Sequence, residues 1–303
     1  MTPPHPADTP PGRPNETAAA WLQRFLEGRT GNAGTERSDA AIATRLRSVL
    51  SRRGLASLDE LVRRMQARRP SQGRSETRSE GRSEGRSETE RLAAEVCDAL
   101  LNNETSFFRD PHCFDALRDD VLPSLFAGRT PGRRLHIWSA ACSSGQEACS
   151  LAILLSEHFA RPMQQTPVTI HATDASAAMV ERVAAATYSP LELARGLSPE
   201  RQARWFVPAG DRFAVVPKLR KMVRVQRLNL IGDWPPLPPM ELVLLRNVLI
   251  YMPAATRERV LSRIREQMTP DGSLVLGAPE SLLDSRHFSR RLAGRLRVYT
   301  PAR

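Results

Sequence analysis

The chain has little with which to hold a metal. It carries four cysteines, Cys97, Cys113, Cys142 and Cys149, none in a C-x-x-C pair, and its six histidines are scattered. That spacing fits no zinc framework and predicts free thiols in a reducing compartment, with no metal. Long apolar runs are also missing. The best candidate, "ELVLLRNVLIYM", is broken by Arg246 and Asn247, whereas a membrane-spanning helix needs roughly 20 apolar residues. The opening "MTPPHPADTPPGRP" has six prolines in fourteen residues and no apolar stretch, so no signal peptide is predicted. A soluble, cytoplasmic protein without membrane insertion is expected. Neither G-x-G-x-x-G nor G-K-[ST] occurs after a predicted strand, which excludes the dinucleotide fingerprint and the P-loop.

What is present is length, basic charge and a change of pattern along the chain. The 303 residues suffice for two domains. The net charge of +11 attracts something acidic. Residues 1–17 read as a disordered tail, and 18–100 as a small helical domain. Apolar residues recur at helical spacing at Trp21, Leu22, Phe25 and Leu26 and at Ile42, Leu46, Val49 and Leu50, and "SLDE" at Ser57–Glu60 is a capping box. Within this part lies a repeat close to GRSE, at 73–90. Its like charges recur every four residues, which disfavours a helix, so 71–90 reads as a flexible insertion.

Residues 101–131 read as a helical linker, with Asp110 as N-cap and Pro111 in the first turn. From 132 to 303 strands and helices alternate. Strands are predicted at 134–139, 168–173, 223–228, 241–246 and 273–278, with "RLRVYTP" closing the chain. Helices are predicted at 146–159, 176–186, 199–206 and 254–268. Apolar strands alternating with helices give an α/β fold with a doubly wound parallel sheet. Ligands of such sheets sit beyond the C-terminal strand ends.

At those ends stand the informative residues. After the first strand comes "SAACSSGQE", a small-residue turn with one glycine, followed by Glu147. After the second comes Asp174, placed to accept from a ribose or to cap the next helix, a task Ser176 could also serve. Asn229, Arg246 and Asn247 end the next two strands. An arginine after "ELVLL" is a costly intrusion unless it faces a site or a partner. Upstream, "NNETSFFRD" places Phe107 and Phe108, candidates to fill the junction between domains, beside Arg109.

The order of these segments resembles the CheR-type chemoreceptor glutamate methyltransferases. The likeness is carried by "NNETSFFRDPHCF", "LHIWSAACSSGQEACSLAILL", "IHATDAS", "LNLIGDWPPLPPMELVLLRNVLIYM" and "MTPDGSLVLGAPESL". It implies a class I, Rossmann-like methyltransferase domain using S-adenosyl-L-methionine. A small all-α N-terminal domain precedes it, and a β-subdomain is inserted at about 188–223. It implies methyl transfer to glutamates of the chemoreceptor cytoplasmic helical bundle, giving methyl esters and S-adenosylhomocysteine. By position, Asn103, Thr105, Arg109, Glu147, Asp174, Asn229, Leu230, Arg246 and Asn247 line the cofactor site, and Arg109 and Tyr251 serve the reaction. Two departures, Gln146 for a carboxylate and Ser176 for the second acid of D-I-D, keep open an alternative: an adaptor that binds the cofactor or the receptor without turnover. The segment before "VRVQRLNL" is short, so no tether to a receptor's C-terminal pentapeptide is expected.

A glutamate carboxylate is ionised at neutral pH, so the reaction needs alignment rather than a general base. Residues 45–69 hold eight arginines against Asp59 and Glu60, and Arg45, Arg52 and Arg53 are the expected receptor-docking residues. With no RNA-binding module and no aromatic–basic interleaving, nucleic acid is not an expected partner. A monomer, able to associate with receptor arrays, is the expected state.

Overall fold

The computed structural model describes residues 13, 16–34, 38–66, 80–282 and 285–302, with the backbone alone for 80–87. Four helices come first: α1 (Ala18–Thr30), α2 (Asp39–Arg53), α3 (Leu58–Gln66) and α4 (Glu80–Leu100). Their ends follow local chemistry. The Thr17 hydroxyl accepts from Ala20 N–H and Ser38 from Ala41 N–H, while Gly31 and Gly54 close α1 and α2. Ser57 caps Glu60, but the Glu60 carboxylate reaches back to Ala56 N–H, one residue short of a capping box. The apolar stripes meet in one core containing Trp21, Phe25, Leu46, Leu61 and Val96.

Two expectations change here. Most of the tail expected at 1–17, and the repeat as far as 79, lie outside the described residues. However, Glu16 and Thr17 are tied to α1, Glu16 through an ion pair with Arg24. Helix α4 begins inside the segment expected to be flexible. Tertiary ion pairs hold its described part against the like-charge repulsion: Glu88 with Arg64 at 3.0 Å, and Glu90 with Arg29.

Chain contacts define two units, Met1–Asn102 with Tyr251–Thr256, and Asn103–Ile250 with Arg257–Arg303. From Asn103 onward the stretch expected as a linker therefore belongs to the second unit. It forms α5 (Pro111–Ala116), a π-helical turn (Leu117–Val121) and α6 (Leu122–Ala127), whose Phe114, Leu117, Val121 and Leu122 join that unit's core. Phe107, expected at the junction between domains, belongs to the core of the second unit. It packs edge-on against Tyr188 and Phe206 in the same core.

The second unit then runs β1 (Leu135–Ala140), α7 (Gln146–His158), α8 (Pro162–Gln165), β2 (Val168–Asp174) and α9 (Ala177–Ala185). The inserted part holds β3 (Thr187–Tyr188), α10 (Pro190–Ala194), α11 (Pro199–Trp205), β4 (Phe206–Ala209), β5 (Arg212–Val215) and α12 (Pro217–Arg220). The chain ends with β6 (Val223–Arg227), β7 (Met240–Leu245), α13 (Ala254–Gln267), β8 (Met268–Leu276), β9 (Phe288–Ala293) and β10 (Leu296–Pro301). The large sheet has the order β6-β2-β1-β7-β8-β10-β9, and β3-β5-β4 form a separate sheet. β1 pairs in parallel with β2 on one side and β7 on the other. The order in which strands are added reverses between β1 and β7, and that switch point opens the crevice where ligands of such sheets bind. Strand β9 went unrecognised in the sequence because "FSRRLA" carries two arginines. Its partner β10 supplies the pairing.

Candidate functional site

The turn after β1 has a left-handed backbone at three places. Ala141, Ser143 and Gly145 have φ of 55°, 52° and 92°. A Cβ on Gly145 would stand 3.0 Å from Val183 and 3.2 Å from the Tyr188 hydroxyl, so only glycine starts α7 here. The turn is held from three sides. Ser143 N–H donates to Asp174 Oδ2 at 2.8 Å, Ser143 Oγ donates to the Asn103 carbonyl at 2.7 Å, and the Tyr188 hydroxyl donates to the Ser144 carbonyl at 3.0 Å. Asn103 and Asp174, two predicted site residues far apart in sequence, thus meet at one serine.

Asp174 does not cap α9. Ser176 does, accepting from Met179 N–H at 3.1 Å, while Asp174 Oδ1 receives Ser176 N–H at 3.0 Å. One backbone donor on each oxygen fixes this buried carboxylate at the end of β2.

Across the switch point, Arg246 follows β7 and has the partners its burial demands. Its Nη1 donates to Glu147 Oε2 at 2.9 Å, and its Nη2 donates to Asp110 Oδ2 at 2.8 Å and to the Arg109 carbonyl at 2.6 Å. Burial opposes its charge, but Glu147 and Asp110 outweigh that and hold the guanidinium above its ordinary pKa. Asp110 therefore occupies the expected N-cap position before Pro111 without capping through its side chain. Its φ is 58°, it makes no side-chain cap, and its carboxylate goes to the buried cation instead. Glu147 Oε1 accepts from Ser139 Oγ at 2.7 Å. Ser139, Glu147, Arg246 and Asp110 form one chain of polar contacts linking β1, α7, β7 and the start of α5.

The next residue, Asn247, is also left-handed, with φ 59°. Glu280, which the sequence reading passed over, holds it there. One Glu280 oxygen accepts from Asn247 N–H at 2.8 Å and Gly277 N–H at 2.7 Å. The other accepts from Val248 at 2.9 Å and Ile250 at 3.3 Å. The available signal was a carboxylate just past an apolar strand, "LVLGAPE", the same signal that singled out Asp174.

The remaining predicted residues are more dispersed. Asn229 accepts Ile231 N–H in a local turn after β6, and the carbonyl of buried Leu230 receives Trp234 Nε1 and Arg263 Nη1. Arg109 Nη1 donates to the Glu104 carbonyl at 3.0 Å rather than to a carboxylate. Thr105 is half-buried. Tyr251 belongs to the first unit, where its hydroxyl oxygen accepts from Asn102 Nδ2 at 2.9 Å. Arg53 is paired with Glu95, Arg45 reaches the Leu100 carbonyl at 3.5 Å, and Arg52 is mostly exposed. The four cysteines are buried and unbridged, and burial pushes Cys113 up to about 11 and Cys149 up to about 12, leaving both as inert thiols. Among the described residues no cluster of three acidic, histidine or cysteine side chains could hold a metal.

Residues 103–296 match the family model described as CheR methyltransferase, SAM binding domain. The chain belongs to the CheR methyltransferase family. It is 37% identical over 261 residues to a chemotaxis protein methyltransferase of Pseudomonas putida, covering 85% of this chain and 88% of that protein. It is 38% identical to chemotaxis protein methyltransferase 1 of Pseudomonas aeruginosa, with the same coverage of each chain. A chemotaxis protein methyltransferase of Vibrio parahaemolyticus is 36% identical, over 86% of this chain and 88% of its own.

This CheR methyltransferase uses S-adenosylmethionine, and its residues fit that molecule. Asp174 and Glu147 are acceptors for hydroxyl and ammonium groups. Arg246 Nε is a buried donor with no partner among the described residues, aimed from the loop after β7, and it suits a carboxylate oxygen. A cationic, zwitterion-bearing nucleoside matches such a mixed donor set. A pyrophosphate would not match the two carboxylates.

Proposed function

We propose that this methyltransferase modifies glutamate side chains in the cytoplasmic helical bundle of chemoreceptors, forming γ-methyl esters. The observation that carries this reading is the Asp110–Arg246–Glu147 cluster at the switch point, in a chain whose relatives are named as chemotaxis methyltransferases. Bound S-adenosylmethionine supplies a methyl group on a sulfonium; the carboxylate oxygen takes it as the carbon–sulfur bond breaks, leaving S-adenosylhomocysteine and a neutral ester.

The chain's own residues have an aligning task. A glutamate has a reference pKa of about 4.3, so no residue need remove a proton. Asp174 holds the ribose, Glu147 and Arg246 hold the methionine end, and Asn103, Thr105, Asn229, Leu230 and Asn247 line the remainder. Arg109 and Tyr251 orient the accepting carboxylate. On this reading Tyr251→Phe lowers kcat at least tenfold with little change in cofactor affinity, and full activity in that variant removes the tyrosine from the reaction.

Docking is electrostatic, through Arg45 and Arg52 with Arg53 in support, so activity falls as salt rises. The β4–β5 hairpin closes through Gly210 and Asp211 alone, between the paired Ala209 and Arg212. So short a connection supports action without a pentapeptide tether, in the cytoplasm beside receptor arrays.

The test uses labelled S-adenosylmethionine, the purified protein and membranes bearing a chemoreceptor from the same cell. Base-labile methyl groups released as methanol establish carboxyl methylation. Cofactor binding without methyl transfer to any receptor of that cell favours the adaptor alternative.

A further inference from the structure

Strand β6 is the outer strand of the large sheet, and three independent features meet along it. The first is an unpaired backbone edge. The Met222 carbonyl accepts Ile170 N–H at 2.8 Å, and Leu228 N–H donates to the Asp174 carbonyl at 3.0 Å. The even-numbered residues of β6 therefore turn their backbone groups toward β2, and Val223, Val225 and Arg227 turn theirs outward. Among the described residues nothing hydrogen bonds to those outward groups.

The second feature is charge. Lys218, Arg220, Lys221, Arg224 and Arg227 are all exposed and lie within a segment, 217–227, that contains no acidic residue. Among the described residues none of the five is in a salt bridge. Arg224 stands in register with His171 of β2. The β6–β7 connection, with Pro235, Pro236, Pro238 and Pro239, forms no helix beside it.

The third feature is a cavity of about 220 Å³ on the opposite face of the same strand. It is lined by Val215, Leu219, Val223 and Val225 and includes Arg220 and Ala184, which are exposed and so bring it to the surface.

A few charges on an edge strand serve to repel other strands. Five cations with no carboxylate partner among the described residues, beside an apolar cavity, do more, because they select. Side chains alternate across an added strand, so one face meets Arg224 while the other meets the cavity. We propose that the outer edge of β6 accepts an extended acidic segment of a partner protein as an added strand, its carboxylates against Arg224 and an apolar side chain in the cavity. The backbone edge and its cations lie on the large sheet, the cavity beneath them also touches Tyr188 of β3, Val215 of β5 and Gly145 of the turn after β1, and the proposal does not depend on the methyl-transfer reading.

The probe is a fluorescein-labelled peptide of alternating valine and glutamate, titrated into the whole protein at low salt and followed by anisotropy. Saturable binding is expected. It should weaken about tenfold in Arg224→Glu. A similar loss is expected in Val225→Pro, which removes an outward N–H and leaves the bonds to β2 intact. Ala184→Trp, which plugs the cavity, should weaken the same peptide and leave an all-glutamate peptide unaffected. Melting curves and S-adenosylmethionine binding check that each variant is folded, and Ala184→Trp keeps the test alive if the proline variant is not. Absence of saturable binding overturns the proposal. So does equal affinity for the all-glutamate peptide or for heparin, with no effect of the proline or tryptophan variants, since the patch would then be sensing charge alone.

Discussion

Glu280 accepts the backbone N–H of Asn247 at 2.8 Å from 33 residues further along the chain. With the Gly277, Val248 and Ile250 donors on the same carboxylate, it fixes the left-handed loop that follows Arg246. A side-chain amide at this position would set its own N–H donors against those backbone donors. Glu280→Gln should lose about 1–3 kcal/mol of stability, the cost of an unsatisfied buried donor. It should also weaken S-adenosylhomocysteine binding about tenfold. Urea denaturation and calorimetric titration read the two effects, and unchanged affinity would show that the loop does not shape the site.

Arg246 is clamped between Glu147 and Asp110, and its side chain is only 3% exposed. Removing one partner leaves an under-compensated buried charge. Glu147→Ala should cost about 3–5 kcal/mol in chemical denaturation. Glu147→Gln, which keeps an acceptor, should cost less. Arg246→Lys should not be conservative, because one ammonium cannot reproduce the two-sided guanidinium contact.

Gly196 sits at φ 106°, and a Cβ there would lie 1.9 Å from the Phe107 carbonyl oxygen. The neighbour is backbone and cannot give way. Gly196→Ala should therefore destabilise the second unit by at least ~3 kcal/mol, read as a lowered Tm. A Tm within a degree or two of the parent would show that this contact relaxes easily.

His136 Nδ1 and His171 Nε2 are 3.0 Å apart on adjacent strands. Burial first, then His136 and Arg224, lowers His171 to about 4. Burial also lowers His136, with Arg134 adding to it and Glu241 opposing. The unfolded value is about 6.5. Above that pH both states are neutral and the pair costs nothing. As pH falls from about 6.5 toward 4, the unfolded chain binds protons that the folded one does not, so stability declines. His171→Gln should flatten that decline in a series of denaturation curves. An unchanged slope would place the proton uptake elsewhere.

Much of this was legible in the sequence because it is local. The apolar runs at 135–140 and 240–245, the small-residue turn and the helix that follows it each declare themselves within one element. The carboxylate at the end of β2 and the arginine after β7 stood out because polar residues there need a reason. Less legible were features whose cause lies elsewhere in the chain. Asp110 read as a cap from its position before Pro111, yet a cation 136 residues away claims it. The GRSE repeat carries like charges at helical spacing, and distant arginines offset them from Glu88 onward.

The sequence by itself determined the fold class, the order of the strand ends and the residue types offered there, because periodicity and turn chemistry act over a few residues. Tertiary structure alone decided which of those residues share hydrogen bonds. It set Glu147 and Asp110 on Arg246, gave Glu280 four backbone donors, and left β6 at the edge, its cations without a carboxylate partner among the described residues. Strand order and loop closure bring such groups together, and neither is written in any single segment.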